Sequence, residues 1–475
     1  MKKANQMAEK MVAPSKDKTQ DKIQEIESIN KQLVGKKSNY QHLVSDVISD
    51  AKKLGADQVA VSLNAGLGLN TTVRMGEIET LEHNQDQSIS LTVYKNKQKA
   101  SVSGSDLSKA GLNNLIEKAC SLVNFTQSDP CGGLIDSKYL AKDIIDLDCY
   151  HPWALSVEES VELAKATEQA ALDSDPKIKN SEGGEVSSYQ SMVVYGNSHN
   201  FLKTNFTSRH SISCSVIAQE GDMMQREYEY SVKRCAEDLW SPAKIGKIAA
   251  NKAVKKLNAR KLKTQSLPVL FQADVATGLI SSFLSAIKGS SIYRHTSFME
   301  GCLEHKVFPD FINIYDDPFV LRGLASSPYD AEGAEVCASY LIQEGVLNQF
   351  LLGSYSARKL NMEPNGHAGG SHNIIVSDIK EKLDFASLLK KMGTGFLVTD
   401  VIGQGVDLVT GNYSRGANGF WVENGEIKYP VEEVTIAGNL KDMFLNIINI
   451  GSDIDQHGSI GCGSILIEKM MLAGS

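Results

Sequence analysis

The stretch Gly411 to Phe444, GNYSRGANGFWVENGEIKYPVEEVTIAGNLKDMF, decides the fold class. Phe420, Trp421 and Val422 are strand-forming residues, and Glu423-Asn424-Gly425-Glu426 holds an Asn-Gly pair suited to a tight type I′ turn. Ile427 to Tyr429 then return as the partner strand, which makes a β-hairpin. Pro430 has no N–H to donate and is expected to end this ladder; Val434, Ile436 and Ala437 resume an apolar run that Gly438 closes. Two strand pairs in succession predict a C-terminal region built mainly from sheet.

Working outward, 475 residues exceed what one compact core holds, so two or three domains are expected. A formal net charge of −8 argues against a nucleic-acid partner, because phosphate contacts need clustered Lys and Arg. Met1-Lys2-Lys3-Ala4-Asn5 is followed by no apolar stretch, and no run approaches the ~18 apolar residues of a membrane span. These features read as a cytoplasmic protein. The eight cysteines are dispersed, with no pair at zinc-ribbon or CxxC spacing, and read as reduced thiols.

The fold class expected is α+β. Residues 1–38 lack aromatics and read as a mobile N-terminal extension, in which Ile23, Ile26, Ile29 and Leu33 fall at helical spacing. Residues 40–123 read as an N-terminal α+β domain with an antiparallel sheet. A helix carries Leu43, Val44, Val47, Ile48 and Ala51 on one face; alternating strands follow at Val59–Leu63, Leu67–Val73, Ile89–Val93 and Ala100–Val102; a second helix begins after Ser105 and Asp106. Residues 124–152 read as a linker. Residues 150–258 form a central helix-plus-strand domain that opens on a capping box, Ser156 with Glu159, and ends in a Lys-rich helix from Pro242 to Leu257. Residues 265–475 form a large, mainly β C-terminal domain. Its last 123 residues hold 18 of the 38 glycines, which favours tight turns over long helices; the exception is a helix from Asp274 to Lys288, with Asp274 as its cap.

The Gly411–Phe444 string, together with Asn365-Gly366-His367-Ala368-Gly369-Gly370-Ser371 upstream, resembles the TldD/PmbA family of metallopeptidase-related proteins, and within it the PmbA (TldE) branch. The resemblance covers about residues 40 to 474. It implies a subunit of a two-chain peptidase acting on unfolded or small peptides, including peptide precursors and an antitoxin. The catalytic branch carries His-Glu-x-x-x-His on a helix early in the C-terminal domain, where two imidazoles hold the metal and the Glu activates water. The matching helix here reads DVATGLISSFLSAIK, with Ser282, Phe283 and Ile287 taken as the equivalent positions. No His in the chain is followed by Glu, so neither HExxH nor HExxxH exists. The resemblance therefore implies no catalytic residue and no metal in this chain, a metal ion, expected to be zinc, in a TldD-type partner, and a heterodimer of the two.

Two sets of residues remain as candidates. His295, Glu304, His305, Asp316, Asp317, His367 and His372 have metal-binding side chains without a motif, and sets of this kind are ordinarily solvated or structural. Asn365, Gly366, His367, Gly369, Gly370, Ser371 and His372 form a glycine-rich loop expected to bind peptide, the alternative being hydrogen bonding within the loop. Gly403 to Asp407 lacks a dinucleotide fingerprint, and Gly411 to Gly416 reads GxxSxG, not a nucleophile elbow. Two rivals stay open: an autonomous metallopeptidase with a non-motif site, and a peptide-binding regulatory protein without an enzyme partner.

Overall fold

Val44, Val47 and Ala51 recur at helical spacing and bury one face of α1 (Lys37–Lys53) against a sheet. The computed structural model describes residues 28, 32–455 and 457–474. Most of the expected extension, and with it Ile23, Ile26 and Ile29, lies outside these residues. Leu33, the last member of that apolar set, is buried in the same core as α1.

The sheet is built from β1 (Gln58–Arg74), β2 (Glu77–Lys95) and β3 (Gln98–Gly104), then, after α2 (Lys109–Leu122) and α3 (Val157–Leu172), from β4 (Ile178–Asn197), β5 (Phe201–Glu220) and β6 (Met223–Lys233). Helix α4 (Pro242–Lys255) follows. All strands pair antiparallel in the order β3-β2-β1-β4-β5-β6. Segments 40–123 and 150–258 thus share one sheet, joined where Ala60 faces Asn197 through to Val73 facing Gly184. Met192 and Val194 of β4 share a core with Val59, Val61 and Leu63 of β1, so neither segment buries its apolar face alone. The two short strands expected between Val59 and Val73 are one continuous strand. Gly66 and Gly68 allow this: the Tyr189 ring lies across both positions, where any side chain on β1 would collide with it. Helix α3 begins on its expected capping box, whereas α2 is capped by Ser108, three residues beyond Ser105.

The C-terminal region runs β7 (Gln265–Phe271), α5 (Ala273–Ala286), α6 (Gly289–Tyr293), β8 (Ile312–Asp317), β9 (Ser339–Gln343), β10 (Val346–Leu347), α7 (Ser354–Leu360), β11 (Asn373–Asp378), α8 (Phe385–Met392), β12 (Gly395–Ile402), β13 (Asn412–Glu423), β14 (Glu426–Asn439), α9 (Leu440–Leu445), β15 (Ile447–Ile450), β16 (Ile460–Gly461) and β17 (Ile465–Ala473). One sheet has the order β14-β13-β12-β7-β17-β15, and a further pairing of Thr435–Ala437 with Met471–Ala473 closes five of its strands into a barrel. The other sheet has the order β10-β9-β8-β11-β16. Phe283 of α5 meets Phe308 edge-on at 5.1 Å, and Phe308 stacks on Phe444 at 4.8 Å in the shared core.

The hairpin turn is as expected, with Asn424 at φ +52° and Gly425 at φ +76°. Pro430 does not end the ladder. It pairs opposite Phe420, with register shifts on both sides, between Trp421 and Val422 and between Ala417 and Gly419, and these irregularities accommodate the missing donor. Asp274 does not cap α5 either; Gln272 holds that position and Asp274 stands in the first turn.

Candidate functional site

A cavity of about 1080 Å³ opens where β6 and α4 face α5, β12 and β14. Its walls include two lengths of strand, Arg226–Tyr230 of β6 and Ile427–Pro430 of β14. Among the described residues β6 is the last strand of its sheet, with no neighbouring strand on its outer side. Gln225 on β6 donates to Glu432 on β14 at 2.6 Å and ties the two walls together beside the opening.

A line of charges crosses the cavity. Glu229 is 3% exposed and accepts from His457 Nε2 at 2.8 Å and from Lys252 Nζ at 3.1 Å. His457 also donates from Nδ1 to Asp455. These hydrogen bonds, first to Asp455 and then to Glu229, push the imidazole up to about 9, so the ring is cationic at neutral pH. Tyr230 lies 4.7 Å from that ring and Trp240 meets it edge-on at 5.2 Å. Beyond Lys252 stands Asp274, 3.9 Å away, whose carboxyl is raised by burial against the pull of the lysine.

The family motif requires two ligands five residues apart on the helix face that looks into such a cavity. From α5 and its N-cap, Gln272, Asp274, Val275, Thr277 and Gly278 line the cavity, with no imidazole among them. The three residues matched to the motif from the sequence do not face it. Phe283 and Ile287 are fully buried in the core on the opposite side, and the Ser282 hydroxyl donates back to Gly278 O at 2.9 Å. A helix face without a histidine does not supply the two imidazoles of the motif, so a motif-type metal does not fit here.

Of the seven unpatterned metal-type residues, three come together. Asp316, His367 and His372 are all buried and offer ligand atoms within 4.8 Å of one another. His295 instead pairs with Glu300 at 2.6 Å, the His305 ring bonds the Leu303 carbonyl, and Asp317 accepts from Phe319 N. Burial raises the Asp316 carboxyl, but the hydrogen bonds from His367 and His372 outweigh it and hold the group below its ordinary range. None of the seven residues of the Asn365–His372 loop set lines the large cavity.

The loop's glycines have a backbone reason to be there. Gly366, Gly369 and Gly370 have φ of +76°, +107° and +125°, a region that L side chains rarely adopt. At Gly366 a Cβ would also stand 2.5 Å from Glu335 O. Gly366→Ala is therefore expected to cost about 2 kcal/mol or more, and Gly370→Ala, with open space around it, only the conformational part of that. Thermal midpoints of the two variants check this ordering.

These features define a class: a long-stranded antiparallel sheet joined to a closed β-barrel around an interdomain cavity, in a chain without a His-Glu-x-x-x-His motif. Solved structures share the fold. A Bacteroides thetaiotaomicron protein described as a candidate modulator of DNA gyrase superposes with a TM-score of 0.86 at 23% identity, covering 91% of this chain and 98% of its own. TldE from Thermococcus kodakarensis gives 0.78 at 18%, covering 91% and 100%. The sequence matches the PmbA/TldA metallopeptidase domain 1 over residues 59–123, the central domain over 150–257 and the C-terminal domain over 264–474. It is 43% identical to Metalloprotease PmbA of Escherichia coli O157:H7 over 435 residues, which is 91% of this chain and 96% of the relative. It is 44% identical to the Haemophilus influenzae PmbA homolog over 445 residues, 93% and 98% of the two. The chain belongs to the PmbA/TldD metallopeptidase family, in its PmbA branch.

Proposed function

We propose that this chain is the non-catalytic subunit of a two-chain metallopeptidase, paired with a TldD-type subunit that holds the metal. The observation that carries this reading is the cavity face of α5: Gln272, Asp274, Val275, Thr277 and Gly278 line it and offer no histidine, and no His in the chain is followed by Glu. The substrate class is an unfolded or small peptide, such as a peptide precursor or an antitoxin. An extended peptide pairs with the edge of β6 from Arg226 to Tyr228, where main-chain hydrogen bonds give affinity without demanding a sequence; the Tyr230 N–H is already taken by Glu229 Oε1 at 2.9 Å. All eight cysteines are unpaired, in keeping with a reducing compartment such as the cytoplasm.

Size-exclusion chromatography of this chain with a TldD-type partner tests the pairing. The expected result is one stable heterodimer whose interface buries well over ~2,000 Å² in total, the range of permanent complexes. A chain that elutes alone and leaves the partner's activity unchanged contradicts the reading.

A further inference from the structure

The cluster of Asp316, His367 and His372 is not used by the cavity, and its hydrogen bonds pose a chemical problem. The Asn365 amide is fixed in orientation by two backbone groups: Leu352 N–H donates to its Oδ1 at 2.9 Å, and its Nδ2 donates to Phe350 O at 2.8 Å. That oxygen can only accept, so His367 Nδ1, 2.9 Å away, carries a hydrogen. A neutral His367 ring then aims the bare lone pair of Nε2 at Asp316 Oδ2, 2.8 Å away. Both side chains are 0% exposed. Two lone pairs that close in the interior repel, so a positive centre stands between them, either a proton or a metal ion.

We propose that the occupant is a divalent transition-metal ion of the zinc class, held by His367 Nε2, His372 Nδ1 and Asp316 Oδ2. His372 Nδ1 reaches the same carboxylate oxygen at 2.8 Å, so three ligand atoms converge from β8 and the glycine-rich loop. Two of the ligands are steered from behind, as metal ligands are: His367 by Asn365, and Asp316 by the His372 N–H, which donates to Oδ1 at 2.7 Å. Two imidazoles and a carboxylate suit zinc, whereas a buried imidazolium–carboxylate pair carries a desolvation penalty that coordination offsets. On binding, the proton shared by His367 and Asp316 leaves to solvent. His372 moves its hydrogen to Nε2, so one proton is released and nothing is oxidised. The ion would staple β8 to the loop that leads into β11. It takes no part in peptide hydrolysis, since none of its three ligands lines the cavity.

The full-length chain, stripped by a chelator and titrated with Zn²⁺ and separately with Co²⁺, tests this. One equivalent is expected to bind, with visible d–d absorption from cobalt and a higher thermal midpoint that the chelator reverses. His372→Ala, at the more exposed edge of the site, and His367→Ala are both expected to lose the ion. If His367→Ala fails to fold, the cobalt spectrum of the wild type and the His372→Ala titration decide. Binding well below one equivalent, or one equivalent retained in His372→Ala, overturns the proposal. So does ¹⁵N NMR showing both His367 ring nitrogens protonated in the presence of excess zinc.

Discussion

Glu229→Gln is expected to lower stability by about 2–3 kcal/mol and to move the His457 titration down from about 9 toward its ordinary value of 6.5. Glu229 is almost fully buried and accepts from both His457 and Lys252, so the neutral amide leaves two cations facing each other with Asp455 and Asp274 as their remaining partners. The magnitude sits at the low end for a broken buried pair because the Lys252 side chain is 32% exposed and water carries part of its charge. The pH dependence has a definite sign. His457 is raised in the folded state, so its contribution is fully present below 6.5 and is lost as pH rises through about 9. The wild type should therefore weaken across that window, and Glu229→Gln should flatten the slope. Denaturant midpoints measured across the window check both points. A variant as stable as wild type with the same slope would mean that these charges are independently solvated.

What the sequence revealed was local. The Asn424-Gly425 turn rests on adjacent residues and the Ser156–Glu159 capping box on residues three positions apart, and both stand where expected. The pairing of β1 with β4 joins residues more than a hundred positions apart, and the barrel closes only when β14 meets β17, so neither left a periodic signal. Ser282, Phe283 and Ile287 were matched to the motif by their place before the strands, not by helix face. Packing against Phe308 and Phe444 turns Phe283 inward and leaves Gln272 and Thr277 on the cavity. Asp316, His367 and His372 were all candidates from the sequence, but nothing distinguished them from His295 and His305. What joins them is the β8–β11 register: Asn373 faces Asp317, which brings His372 beside Asp316. Glu229, Lys252 and His457 went unread and Asp274 was read only as a helix cap, since the four are scattered over more than two hundred residues and fit no motif.

The second large effect is on catalysis. The chain has no His-Glu-x-x-x-His, so on the proposed assignment removing a TldD-type partner should remove the reaction, not merely slow it. A metal held by Asp316, His367 and His372 does not alter this expectation, because none of those residues reaches the cavity. The most direct measurement is hydrolysis of an unstructured peptide by three zinc-supplemented samples: this chain alone, a TldD-type chain bearing His-Glu-x-x-x-His, and the two mixed. The expected result is no cleavage above buffer for this chain alone and chelator-sensitive cleavage for the mixture, faster than for the TldD-type chain by itself. Chelator-sensitive cleavage by this chain alone, surviving in a preparation shown to be free of any second protein, would contradict the account.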